Sequence, residues 1–83
     1  MVDNQQFEFT DMEKLVIEQL KNGYSNREIG KMLNFSAYAI KYHVAKIIRK
    51  TGAVNRINAI YILTKTGYFK ESEQEMMQSS MPH

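Results

Sequence analysis

Residues 26–52 constrain the fold most strongly, because their pattern indicates a short helix, a turn at Asn34-Phe35-Ser36 and a longer basic helix. Two helices joined by a three- or four-residue turn form the helix-turn-helix unit, whose second helix can enter a DNA major groove. The sequence therefore predicts an all-α fold, a compact four-helix domain containing this unit.

The longer helix is predicted over about residues 36–51. Ser36 is a suitable N-cap, and Gly52 is a suitable C-terminal residue because glycine enters the left-handed conformation without penalty. At about 100° per residue one face is an apolar core stripe. This stripe consists of Ile40, Val44, Ile47 and Thr51, with Ile48 at its edge.

The opposite face of this helix is cationic and aromatic. It consists of Tyr38, Tyr42, Ala45 and Arg49, flanked by Lys41 and Lys46. No acidic residue occurs between Ser36 and Gly52. Such a face suits a phosphate-lined groove. For this helix taken alone, an ordinary solvated face is an equally good interpretation.

Charge is unevenly distributed along the chain. Residues 21–56 hold eight basic side chains and one acidic side chain, Glu28, and so carry a charge of +7. The remaining residues carry −5, which gives the net charge of +2. A basic centre between acidic ends indicates a localised anionic partner.

The 83 residues fit one small domain, and several classes of function are not expected. The absence of cysteine excludes disulfides and thiolate metal sites, and the two histidines, His43 and His83, form no metal cluster. No catalytic set or phosphate loop is present, so we expect no enzyme, no cofactor and no small-molecule ligand. Without a membrane-spanning run or a signal peptide, the expected location is the cytoplasm, at the nucleoid when bound to DNA.

The first two helices have start signals of the same kind. Thr10 with Glu13, and Ser25 with Glu28, have capping-box spacing, and Asn22-Gly23 should end the first helix. Helical spacing predicts that seven residues face the core: Met12, Leu15, Val16 and Leu20, then Ile29, Met32 and Leu33.

Two residues near the turn have specific predicted roles. Gly30 indicates close approach by another helix, since a mid-helix glycine costs about 1 kcal/mol relative to alanine; a tolerated defect is the alternative. Phe35 is expected to be buried between the two helices and to fix their angle.

A fourth helix is predicted from an Asn55 cap to Lys65 or Thr66, ended by Gly67. One side carries Ile57, Ile60, Tyr61 and Thr64, and a second apolar side carries Ala59, Ile62 and Leu63. So small a domain can cover only part of this surface, which favours a homodimer. In the alternative, Tyr68 and Phe69 fold back over it. Residues 1–8 are expected to be a flexible lead-in, 9–69 the domain and 70–83 a disordered tail.

Over residues 9–62, without gaps, the chain resembles the LuxR-type (GerE/FixJ-type) helix-turn-helix of bacterial transcription regulators. The matching landmarks are Thr10, Glu13, Gly23, Ser25-Asn26-Arg27-Glu28-Ile29, Leu33, Ser36, Ile40-Lys41, His43-Val44, Ile47, Lys50, Gly52, Arg56 and Ala59. The resemblance implies four helices, with the third in the major groove and the fourth forming the dimer.

The resemblance also implies site residues. Those that face DNA bases would be Lys41, Tyr42 and Ala45, and we add Lys46. Those that contact or support the DNA backbone would be Ser25, Asn26, Lys31, Ser36, Tyr38, His43, Arg49 and Arg56. The dimer interface would be Ile57, Ile60, Tyr61 and Thr64.

The chain departs from the family pattern at Leu15, where a second glutamate is usual, at Ala39, where threonine is usual, and at the bulky Tyr42. The short segment before residue 9 predicts a stand-alone regulator, unless the chain is an excised fragment. Two hypotheses follow. The first is a sequence-specific regulator that binds double-stranded DNA as a homodimer. The second is an interaction module that pairs through its fourth helix with a larger regulator of the same family.

Overall fold

A computed structural model describes residues 7–70 of the chain. This part contains four helices: α1 (Asp11–Lys21), α2 (Asn26–Leu33), α3 (Ala37–Thr51) and α4 (Arg56–Lys65). A further helical turn occupies residues 68–70, and the described residues contain no strand. The predicted all-α fold is therefore confirmed. None of the helices within residues 7–70 is long and apolar enough to cross a membrane.

Local side-chain hydrogen bonds begin each helix where the sequence predicts. Thr10 and Glu13 form a reciprocal capping box at α1, and Ser25 and Glu28 form one at α2. Ser36 accepts a hydrogen bond from the Ala39 amide at 3.0 Å, which caps α3. The Asn55 side chain caps α4 in the same way, at 2.8 Å from the Asn58 amide. Each cap satisfies an amide that would otherwise lack a partner.

The core lies where α1, α3 and α4 meet, with α2 packed on α3. Its buried apolar residues are Val16, Ile17, Leu20, Ile29, Ile40, Val44, Ile47, Ala59, Leu63 and Phe69. The predicted stripe of α3 is confirmed, since Ile40, Val44, Ile47 and Thr51 are all buried.

Three residues that were predicted to be buried are instead exposed: Leu15, Met32 and Phe35. Leu15 is 50% exposed. The buried face of α1 carries Glu13, Val16 and Ile17, and Leu15 lies on the side of the helix that faces solvent. Met32 is 46% exposed because α2 buries only Ile29 and Gly30 fully. These predictions were wrong because a domain of four short helices covers only one narrow stripe of each.

Phe35 is 45% exposed, so its predicted burial between α2 and α3 was also wrong. Gly30 explains the difference. The turn's main chain packs directly on Gly30, and the Phe35 amide donates to the Gly30 carbonyl at 2.7 Å. Backbone therefore fills the space expected for the aromatic ring. The predicted close approach at Gly30 is present, but it is made by the turn and the start of α3.

The residues that flank the four helices also contact the core. Phe7 packs against the core, with its ring centroid 5.9 Å from that of Phe9, although residues 1–8 were expected to be a flexible lead-in. Phe69 is buried in the core, but Ile57 and Tyr61 remain exposed, so the alternative in which Tyr68 and Phe69 cover the apolar surface of α4 is not what the structure has. Residues 1–6 and most of the predicted tail, residues 71–83, lie outside the described part of the chain.

Candidate nucleic-acid interface

The outward face of α3 is opposite its buried stripe. Tyr38 is 81% exposed and Tyr42 is 60% exposed, and Lys41, Ala45 and Arg49 are also exposed. These five residues share one side of a helix whose other side is anchored in the core. The fold thus presents cationic and aromatic side chains together on a rigid element.

The turn between α2 and α3 fixes the direction of this face. Asn34 adopts the left-handed conformation with φ of 65°, which ends α2. Ser36 then caps α3 only two residues later. Because the turn packs on Gly30 without an intervening side chain, α2 holds the start of α3 closely.

Two groups of residues predicted to contact the DNA backbone occupy different places. Lys31, Ser36, Tyr38 and Arg49 are exposed on α2, the turn and α3. At the start of α2, Ser25 is exposed. There the Arg56 guanidinium donates a hydrogen bond to the Asn26 side-chain oxygen, which connects the beginnings of α4 and α2. Arg56 and Asn26 are both half-buried, so this pair also supports the packing.

His43 lies at the border between core and surface. Its side chain is half-buried, and its Nδ1 atom is buried without a hydrogen-bond partner in residues 7–70. The imidazole packs edge-on against the Tyr42 ring, with centroids 5.7 Å apart. His43 therefore braces an exposed tyrosine of the candidate interface.

Lys46 was predicted to face bases, and its ammonium group is directed towards α1. The Lys46 Nζ atom lies 3.5 Å from Glu13 Oε2, and the side chain is 27% exposed. The same Nζ atom lies 5.3 Å from the centroid of the Tyr42 ring. Lys46 thus contacts both a buried carboxylate and an exposed aromatic ring.

Glu13 is a buried charged residue whose contacts with α3 the sequence did not reveal. Its side chain is fully buried, and Oε1 accepts hydrogen bonds from Lys50 Nζ at 2.7 Å and from the Thr10 amide at 2.9 Å. Burial acts to raise the pKa of Glu13, but the Lys50 and Thr10 hydrogen bonds and the charges of Lys50 and Lys46 outweigh it and lower the pKa overall. The signal that could have identified it is spacing: Glu13 lies on the same helical face as Val16, Ile17 and Leu20.

The predicted dimer face of α4 is largely open to solvent. Ile57 is 78% exposed, Tyr61 is 58% exposed, Thr64 is exposed and Ile60 is half-buried. A cleft of about 450 Å³ adjoins this face and is lined in part by Tyr24, Ile57 and Ile60. Although Phe69 is buried, Ile57 and Tyr61 stay exposed, so an apolar surface remains on α4.

Comparison with known protein families shows which family the chain belongs to. The model of the family described as bacterial regulatory proteins, luxR family, matches residues 8–63, which includes α1, α2, α3 and most of α4. The chain belongs to the luxR family of bacterial regulatory proteins. All of the predicted interface residues except Thr64 lie within the matched segment.

Curated relatives carry the same segment within longer proteins. The chain is 36% identical over 55 residues to the transcriptional regulatory protein DegU of Brevibacillus brevis, a match that covers 66% of this chain and 23% of DegU. It is 33% identical over 61 residues to the transcriptional regulatory protein DesR of Bacillus subtilis, covering 74% of the chain and 31% of DesR. It is 32% identical over 65 residues to the transcriptional activator protein PhzR of Pseudomonas fluorescens, a match that covers 78% of this chain and 27% of PhzR. The chain thus spans about a quarter to a third of the length of these relatives.

Proposed function

We propose that this chain is a transcription regulator that binds double-stranded DNA, with α3 in the major groove. The exposed face of α3 carries the proposal, because it combines basic and aromatic side chains without any acidic residue. A helix of this kind fits the width of the major groove, where base edges are distinguishable. Family membership and relatives named as transcription regulators support the same function.

The exposed residues divide into two proposed roles. Lys41, Tyr42 and Ala45 lie on the outward face of α3 and would meet base edges. Lys31 and Arg49, with the exposed hydroxyl of Ser36, would meet phosphates. Contacts to phosphates hold a protein in register, and contacts to base edges supply sequence preference.

A homodimer through α4 forms the second part of the proposal. The exposed side chains of Ile57 and Tyr61, beside the cleft that reaches Tyr24, give an apolar surface that a second copy would bury. A two-fold dimer would present two α3 helices to two half-sites of DNA.

Fluorescence anisotropy with labelled duplex DNA over a salt series tests the DNA-binding function. We expect affinity to fall steeply with salt, and Arg49→Ala to weaken binding to all duplexes and to reduce the salt slope by about 0.9. Lys14→Ala removes one exposed charge from α1 and is the matched control, which should leave the slope unchanged. Lys41→Ala should mainly reduce discrimination between duplexes.

The exposed α4 face also fits the alternative function, pairing with a larger regulator of the same family. Absence of duplex binding even at low salt, together with DNA-independent pairing with such a regulator that Ile57→Asp abolishes, would favour this alternative. Salt-dependent DNA binding by the isolated chain would favour the regulator.

A further inference from the structure

Lys46 links the interior of the domain to its proposed DNA-binding face. Its Nζ atom lies 3.5 Å from the fully buried Glu13 Oε2 and 5.3 Å from the centre of the exposed Tyr42 ring. Within the described residues Glu13 Oε2 has no hydrogen-bond partner, and Lys46 Nζ is the cation that lies next to this oxygen, while Lys50 binds Oε1. This ion pair restrains an otherwise flexible lysine side chain.

Glu13 is itself held firmly. Its other carboxylate oxygen accepts hydrogen bonds from Lys50 Nζ and from the Thr10 amide at the start of α1. Because Glu13 is held by both α1 and α3, the position of Lys46 is set by the packing of these two helices rather than by α3 alone.

The Tyr42 ring is restrained on two sides. The Lys46 ammonium lies near the ring at cation–π distance, and the His43 imidazole packs against it at an interplanar angle of 66°. The side chain nevertheless remains 60% exposed on the outward face of α3. A restrained aromatic ring offers a defined apolar surface at low cost in conformational entropy.

We propose that Tyr42 contacts the C5-methyl group of a thymine and that Lys46, held by Glu13, positions the Tyr42 ring for this contact. The inference rests on the proposed binding of α3 in the major groove, where the thymine methyl is the distinctive apolar feature of the base edges. Lys46 is then a positioning residue, and the base preference resides in Tyr42.

Replacement of thymine by deoxyuridine, which lacks only the C5-methyl group, tests the contact. A duplex selected by the protein from a random library is resynthesised with each thymine replaced singly, and affinities are measured by fluorescence anisotropy. At one position in each half-site we expect affinity to fall roughly fourfold, as for loss of one buried methyl-sized group. Tyr42→Phe should keep this thymine-to-uracil ratio, and Tyr42→Ala should bring it to one.

Variants of Lys46 test the positioning role with the same ratio. Lys46→Gln should lower the ratio towards one, and Lys46→Arg, which restores the cation, should recover it. Glu13→Gln should lower the ratio in the same direction, under conditions where circular dichroism shows that it is folded. Lys46→Met replaces Lys46→Gln if the latter does not fold. Lys14→Gln is the matched control: it removes an exposed lysine charge from α1, outside the proposed DNA-binding face, and should keep the parent ratio.

The outcomes separate the inference from the function on which it rests. If no duplex is selected or bound, the proposed function fails and the inference fails with it. If the parent binds DNA with equal affinity for thymine and deoxyuridine at every position, only the methyl contact is overturned. If Lys46→Gln keeps the parent ratio, the positioning role is overturned.

Discussion

The carbonyl oxygen of Phe35 lies 2.5 Å from the place that a Cβ atom at Gly30 would occupy. The turn between α2 and α3 thus rests directly on the α2 backbone, and a hydrogen bond from the Phe35 amide to the Gly30 carbonyl secures it. This contact sets the relative placement of the two helices and leaves the Phe35 ring exposed. It joins a local feature of the sequence to the orientation of the proposed DNA-binding helix.

Gly30→Ala should destabilise the domain by about 1–3 kcal/mol, since an added methyl group would overlap backbone that cannot move independently. Helix propensity alone predicts the opposite effect, an increase of about 1 kcal/mol in the free energy of unfolding. Urea denaturation measures the free energy of unfolding. Lys31→Ala, at the neighbouring exposed position, should be close to neutral. If Gly30→Ala is as stable as the parent, the backbone of the turn at Phe35 can move away from α2 without loss of stability.

Glu13→Gln should lower the free energy of unfolding at pH 7 by about 1.5–3 kcal/mol, because the buried group would lose charge-assisted hydrogen bonding to Lys50. Glu18→Gln is the control on the same helix, because Glu18 and Lys21 form a partly exposed pair at 3.2 Å. Such a pair contributes at most about 1 kcal/mol.

The stabilisation from Glu13 should also depend on pH. The folded-state pKa of Glu13 is lowered from an ordinary value of 4.5, so the stabilisation is complete above that pH and is lost as pH falls through the folded-state pKa. The difference in stability between the parent and Glu13→Gln should therefore shrink in acid. Urea denaturation from pH 7 to pH 3 measures it, and a difference that is constant with pH would contradict the ion-pair role.

Phe69→Ala should destabilise the domain by about 3 kcal/mol, since Phe69 is only 7% exposed and belongs to the core. The residue lies beyond the segment matched by the family, which ends at residue 63. Lys70→Ala, at the next and exposed position, should have little effect. Equal thermal midpoints for these two variants would mean that the core does not need the segment after α4.

Ile57→Asp should weaken self-association at least tenfold and leave the stability of the monomer nearly unchanged, because the side chain is 78% exposed in the monomer. A charge placed within an apolar interface lacks a partner and loses its hydration. Sedimentation equilibrium measures the change. Leu15→Asp is the matched control, an exposed apolar residue on α1. Similar effects of both variants, or a parent that stays monomeric at high concentration, would exclude the α4 interface.

Local sequence predicted most of the fold because helix boundaries depend on interactions within a few residues. The capping residues Thr10, Ser25, Ser36 and Asn55 act on amides three positions away, and Gly52 ends α3 through its own backbone conformation with φ of 74°. The α3 core stripe follows from helical periodicity in the same way. The residues of the candidate interface on α3 were predicted by the same face analysis and by the family resemblance, and their roles remain predictions.

Tertiary structure decided which apolar residues are covered and which charges meet. Leu15 and Met32 have apolar side chains suited to a core, but the neighbouring helices do not cover them, and at Phe35 the backbone of the turn occupies the place against Gly30. The sequence by itself determined the four helices, their caps and the basic face of α3. Only the packing of α1 against α3 brought Glu13 to Lys50, 37 residues away along the chain, and to Lys46. Sequence spacing cannot predict such a pairing, because the energy of a buried ion pair depends on distances and on exclusion of water that exist only in the folded domain.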